Sequence, residues 1–172
     1  MMFWRVAFWV IFGATGVVYG VMLLDTLPTI SEGAAGLLPF DLRPMGYTTA
    51  EAQAFVDHLT VEARATYLGK QHLLDSVFPA LLCLSMFGAF SMLVSHRGLR
   101  WGLIALAFGA ALADYTENAR VARMLSEDGM LTADLVSAAS LATVTKSILN
   151  TIAMVALLVA VGAAVFSKRK TR

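Results

Sequence analysis

Apolar positions along the chain gather into four long runs separated by polar stretches, and the runs read as helices crossing a lipid bilayer. The first is FWRVAFWVIFGATGVVYGVMLL, residues 3–24, and the others cover about 73–94, 99–113 and 135–166. Crossing a hydrocarbon core about 30 Å thick takes about 20 residues at a rise of about 1.5 Å each. The third run reaches that length only by carrying Asp114, Glu117 and Asn118 of ADYTENAR on its last turn, so its expected helix is 99–118. The first run has a single early charge, Arg5, and no small-residue cleavage pattern before a polar start, which reads as a retained span rather than a signal peptide.

The segment that follows the first run, DTLPTISEGAAGLLPFDLRPMGY, holds three of the four prolines and reads as irregular. A helix start comes next. Thr48 with Glu51 three residues on makes a capping box, and Ala52, Phe55, Val56, Leu59 and Ala63 recur at helical spacing. The spacing predicts an amphipathic helix over 49–66, lying on the outer membrane face or capping the bundle. A second outer loop is expected over about 119–134. With no internal repeat or low-complexity tract, the chain reads as one transmembrane domain over 1–172. Its expected fold class is all-α: an integral membrane four-helix bundle with an amphipathic outer-face helix between helices 1 and 2.

Composition strengthens the membrane reading. Of 172 residues, 58% are hydrophobic and 15% charged, with mean hydropathy +0.71, whereas soluble domains carry roughly 25% charged residues. The net charge of +1 and the absence of a basic, aromatic-interleaved stripe give no reason to expect nucleic acid as a partner. The lone cysteine, Cys83, lies in an apolar run and reads as a packing residue.

Charge placement predicts orientation. Arg5, then Arg97 and Arg100 in SHRGLR, then Lys168, Arg169, Lys170 and Arg172 flank the runs at alternating ends, with no acid among those three segments. By the positive-inside rule both termini face the cytoplasm. The lipid bilayer is then the certain partner, and a protein partner is not indicated.

The polar residues inside the runs are the candidate chemistry. Tyr67, Gln71 and Asp75 are spaced by four; Asp114, Glu117 and Asn118 by three and four; Thr143, Lys146, Ser147 and Asn150 follow the same rule. Residues so spaced share a helix face, and polar faces in a membrane turn inward. Counted from the cytoplasmic ends, Asp114 stands at about 21 Å, Glu117 at about 26 Å, Asn150 at about 25 Å, and Lys146 and Asp75 at about 31 Å. These groups are expected to meet at head-group depth on the outer side, with Lys146 balancing one of three acids. Gln71, Asp75, Asp114, Glu117, Asn118, Lys146 and Asn150 thus form the candidate ligand site.

Three readings of that site stay open. It is a pocket for a lipid or small amphiphile, in which a buried carboxyl would act as general acid or base if the site is catalytic. It is a packing lock in a structural or assembly subunit, where polar groups hold helices together. Or it is a metal site, since His72-x-x-Asp75 and Asp114-x-x-Glu117 have ligand-like spacing. Against metal stand the availability of only one histidine at that depth and the repulsion of Lys146. No cofactor is implied.

The patterns Gly46-Tyr47, Tyr67-x3-Gln71-x3-Asp75-x3-Pro79 and Asp114-x-x-Glu117-Asn118 resemble those of small four-span bacterial inner-membrane proteins of uncharacterised function. The resemblance covers about residues 40–125. It implies a bacterial inner-membrane location and brings no activity with it.

Overall fold

In a computed structural model, residues 2–126 and 131–170 are described, with side chains to Phe166. Among them the chain is all-helical, with five helices and no strand. Helix α1 spans Met2–Glu32, α2 Thr49–His58, α3 Val61–Leu93, α4 Arg97–Leu125 and α5 Ala133–Lys170. A single 3-10 turn, Phe40–Leu42, interrupts the α1–α2 link. Three helices are long and apolar enough to cross a membrane: Met2–Glu32, Val61–Leu93 and the stretch Ala133–Phe166 of α5. In α4 the arginines at the start and the acids from Asp114 onward leave too short an apolar stretch to join that class.

The helices overrun the boundaries expected from hydropathy. α1 continues past Leu24 through a π turn, Met22–Thr26, into LPTISE, where Pro28 occupies the start of a helical segment and its missing N–H costs little. The expected 49–66 helix is two elements. Leu59 and Thr60 are extended, and the Thr60 side chain accepts from the Ala63 amide to cap a new helix that runs on into the span. Of the expected 119–134 loop, residues up to Leu125 are helical, while 127–130 lie outside the described residues, as does Arg172 of the basic C-terminus.

The long helices pack in chain order, α1 on α3, α3 on α4 and α4 on α5, with a lighter contact between α3 and α5. Thr15 of α1 and Ser85 of α3 share a hydrogen bond of 2.9 Å between their hydroxyls, and Tyr19 stacks on Phe78 at 5.6 Å. One core, Met86, Phe90, Val94, Ala107 and Ala153, lies toward the short α3–α4 link. The other lies at the opposite end, where α2 and the α1–α2 link form a cap: Phe40, Tyr47, Phe55 and Tyr67 pack with Val121, Met124, Leu125, Val136 and Ala139. Helix α2 caps the bundle by burying Ala52 and Phe55 on this core, while its capping box, with both Thr48–Glu51 bonds in place, starts it cleanly.

Two glycines let the cap sit down. Gly46 has φ +83, and a Cβ there would meet Ser140 Oγ of α5 at 2.6 Å, so a side chain is barred by both conformation and space. Gly33 lies so close to α3 that a Cβ would meet Ala63 Cβ at 2.3 Å, and its carbonyl accepts from the Thr60 amide at 2.8 Å. Outside these contacts Trp9, Val10 and Val17 of α1, and Leu158 and Val159 of α5, are exposed. Faces this apolar are suited to lipid rather than water.

Candidate functional site

Polar side chains from three long helices and the cap converge in one buried cluster. Lys146 of α5 is the centre. Its ammonium pairs with Glu117, lies 3.3 Å from Asp114 Oδ1 and 3.7 Å from Asp41 Oδ1. Thr143, one turn earlier on α5, donates to Glu117 Oε1 at 2.5 Å. Lysine stems can carry their charge to an interface; this one turns inward, and its side chain is only 12% exposed.

Asp41 is the member that the sequence reading missed. It sits in the 3-10 turn of the cap, where it accepts a hydrogen bond from the Tyr67 hydroxyl at 2.5 Å, while that hydroxyl accepts from the Phe40 amide at 3.1 Å. Nothing periodic marks Asp41, because it reaches the site by a loop. The available signal was chemical: a lone acid between Pro39 and Pro44, two residues from Arg43.

The turn is held by Arg43. Its guanidinium donates twice to the Leu38 carbonyl, at 2.8 and 2.6 Å, and lies 5.5 Å from the Phe40 and Phe55 ring centroids and 5.9 Å from that of Tyr47. The Tyr47 amide donates to Ser140 Oγ at 2.8 Å, which fixes the other end of the loop to α5. The Tyr47 hydroxyl is buried without a hydrogen-bond partner. Burial pushes this phenol well above its ordinary range; a contact with Thr143 opposes that shift, and the charges of Glu117 and Asp41 add to it.

On α3 a second π turn, Tyr67–Gln71, faces the one on α1. Thr26 donates to Gln71 Oε1, and Lys70 pairs with Asp25. Gln71 in turn donates through Nε2 to Asp75 Oδ2 at 2.9 Å. Pro79 lacks the N–H that would serve the Asp75 carbonyl four residues back. Asn118 of α4 takes that place, its Nδ2 donating to the Asp75 carbonyl at 2.9 Å.

Gln71, Asp75, Asp114, Glu117, Asn118 and Lys146 are therefore brought together as the helical spacing predicts. Asn150 is not part of this network. It lines a separate seam with Pro79, Cys83, Met86, Ala107 and Asp114. Arg120 of α4 donates to the Ala138 carbonyl at 3.1 Å and pairs with none of these acids.

Two properties govern what the cluster can do. Asp41, Asp75, Asp114 and Glu117 against Lys146 give four negative charges and one positive when all are ionised, so protons or a cationic group must balance the remainder at such burial. The open space is also small. A cavity of about 10 Å³, lined by Asp41, Tyr67, His72, Asp75 and Asn118 with apolar neighbours, has room for about one water molecule. No group of three His, Cys, Asp or Glu side chains is placed to hold a metal ion among the described residues. No protein-family model, curated protein or solved structure matches the chain.

Proposed function

We propose that this is a four-span integral membrane protein of a bacterial inner membrane. Its buried charge cluster fastens an outer cap to the spans, in the manner of a structural or assembly subunit. The observation that carries the fastening role is Lys146, whose ammonium joins Glu117 and Asp114 of α4 to Asp41 of the cap, while the space beside Asp41 and Asp75 is no larger than one water. The four-span reading takes α4 as the remaining span, its acids shielded by α5 and the cap. The basic ends Arg5, Arg97, Arg100 and Lys168 to Lys170 support cytoplasmic termini. The inner-membrane location rests on the resemblance to small bacterial four-span proteins. Leu38, Leu42 and Met45 stand exposed on the cap and are the apolar surface offered to a partner subunit.

A lipid- or amphiphile-binding site is the second reading. The observation favouring it is the excess of carboxyls over the single ammonium. It requires the cap to move, since a whole head group does not fit the space present.

Native mass spectrometry of gently extracted protein separates the two, with wild type beside Asp114→Asn/Glu117→Gln. The fastening role predicts a bare wild type and a variant of lower thermal stability. A lipid or amphiphile carried by wild type alone moves the assignment to ligand binding. Orientation is tested separately in a Cys83→Ala background: a cysteine at Met45 should react with an impermeant maleimide from outside, and one at Ser95 only after lysis.

A further inference from the structure

The carboxyl excess is not spread evenly through the cluster. Lys146 serves Asp41, Asp114 and Glu117, but no basic side chain pairs with Asp75 among the described residues. Asp75 is 6% exposed, and Gln71 engages one of its carboxyl oxygens. Its other carboxyl oxygen has no hydrogen-bond donor among the described residues, and the group borders the water-sized space across which Asp41 also lies. The Tyr47 hydroxyl, buried and unpartnered elsewhere in the cluster near Thr143, does not line that space. At Asp75 the cluster thus holds a surplus acceptor bordering a space of one heavy atom, within a net negative field.

A divalent metal does not suit this arrangement, because no three ligating side chains converge among the described residues. A whole zwitterionic head group is too large. A cation of the size of one water, satisfied by two carboxyl groups and neighbouring neutral acceptors, fits both the volume and the charge. We propose that the space between Asp41 and Asp75 takes one ammonium-sized monovalent cation: a free ammonium or potassium ion, or the primary ammonium of an ethanolamine head group. Asp75 is its charge partner, Asp41 its second carboxyl, and Asn118 and Tyr67 bound the site. The inference goes beyond the fastening role, and only its lipid source rests on the proposed depth of the cluster in the membrane.

The test is thermal stability of the purified full chain in a detergent free of amines. It compares ammonium, potassium, sodium, choline and N-methylglucamine chlorides at equal ionic strength and fixed pH. Ammonium and potassium should raise Tm saturably by about 3 °C or more, as a ligand bound only by the folded state does. Choline and N-methylglucamine should not. Asp75→Asn should abolish the response, and Asp25→Asn, an exposed acid outside the cluster, should keep it. If Asp75→Asn does not fold, the wild-type comparison decides alone. Equal Tm in all five salts overturns the site, as does a response to sodium alone or one retained in Asp75→Asn. Nanodiscs then identify the source. A higher Tm in phosphatidylethanolamine than in phosphatidylcholine assigns the head group, and equal values with a positive ammonium arm assign the free ion.

Discussion

Asn118 donates its side-chain amide to the Asp75 carbonyl at 2.9 Å, and it does so because Pro79 cannot. A proline inside a helix leaves the carbonyl four residues earlier without its donor, and in a membrane-spanning helix a neighbouring side chain is the available replacement. Asn118 thereby links α3 and α4 at the depth of the charge cluster. Asn118→Ala should cost about 1–3 kcal/mol, the usual penalty for orphaning a buried acceptor. In a Pro79→Ala background the helix supplies its own N–H, and the cost of Asn118→Ala should fall below half. A double-mutant cycle by denaturant or thermal unfolding in detergent reads this coupling; additive effects would mean that Asn118 acts only by packing.

Among the described residues Lys146 is the sole cation serving Asp41, Asp114 and Glu117. Lys146→Met should lower stability by about 3–5 kcal/mol, since removing one partner of a buried pair strands the other. Adding Glu117→Gln to Lys146→Met should recover part of that loss, because one stranded acid is then neutral. Equilibrium unfolding of the three proteins checks both statements, and a double variant less stable than Lys146→Met rejects the second.

Asp41 anchors the cap to the spans. Asp41→Ala removes the Lys146 contact and the acceptor of the Tyr67 hydroxyl together, at a cost of about 1.5–3 kcal/mol for a charged hydrogen bond. Asp41→Asn keeps an acceptor and should cost less. Amide exchange should accelerate first in residues 37–48 rather than in α3, α4 or α5. Uniform acceleration would mean that the cap has no separate opening.

Gly46→Ala combines a left-handed residue, at about 1–2 kcal/mol, with a contact to Ser140 Oγ that would close to 2.6 Å. Ser140→Gly should not rescue it: that change removes the clash but leaves the φ penalty and deletes the acceptor of the Tyr47 amide. Thermal melts of the single and double variants distinguish this from a purely steric effect, for which rescue would be complete.

The capping box of α2 gives a local pH response. The Thr48 backbone amide, and then its hydroxyl, hold the exposed Glu51 carboxyl below its ordinary value. A depressed carboxyl stabilises the folded form fully above its unfolded value and loses that contribution as pH falls through the folded value. Helix α2 should therefore exchange amides faster, relative to α5, as pH is lowered through the acidic carboxylate range. Glu51→Gln should flatten this dependence.

Helical periodicity made much of the cluster legible. Gln71 with Asp75, Asp114 with Glu117 and Asn118, and Thr143 with Lys146 are each one turn apart, and a shared face needs no knowledge of the neighbours. Asp41 was hidden because its position depends on tertiary contacts: the Arg43 stack, the left-handed Gly46 and the Tyr67 hydroxyl. Asn150 shares the Lys146 face by spacing, yet one further turn carries it past the cluster into the Pro79 seam. The break at Leu59 and Thr60 had a local sign, a threonine in capping position, which the continuous apolar spacing outweighed.

The two facing π turns, Met22–Thr26 and Tyr67–Gln71, make chain length itself a structural variable. Each holds a wider loop of backbone than an α turn, and each is stitched to the other through Thr26 with Gln71 and Asp25 with Lys70. A π turn takes up one extra residue without turning the helix beyond it, so deleting one residue from either should let that turn relax to the α form with the flanking faces kept in register. A deletion in the α-helical stretches beside them, with no wide turn to absorb it, would instead swing everything beyond it by about 100°. In α1 such a swing carries Leu27 and Ile30 off the core. Deletions should thus be better tolerated inside these two turns than beside them, at the expense of the Thr26–Gln71 and Asp25–Lys70 links.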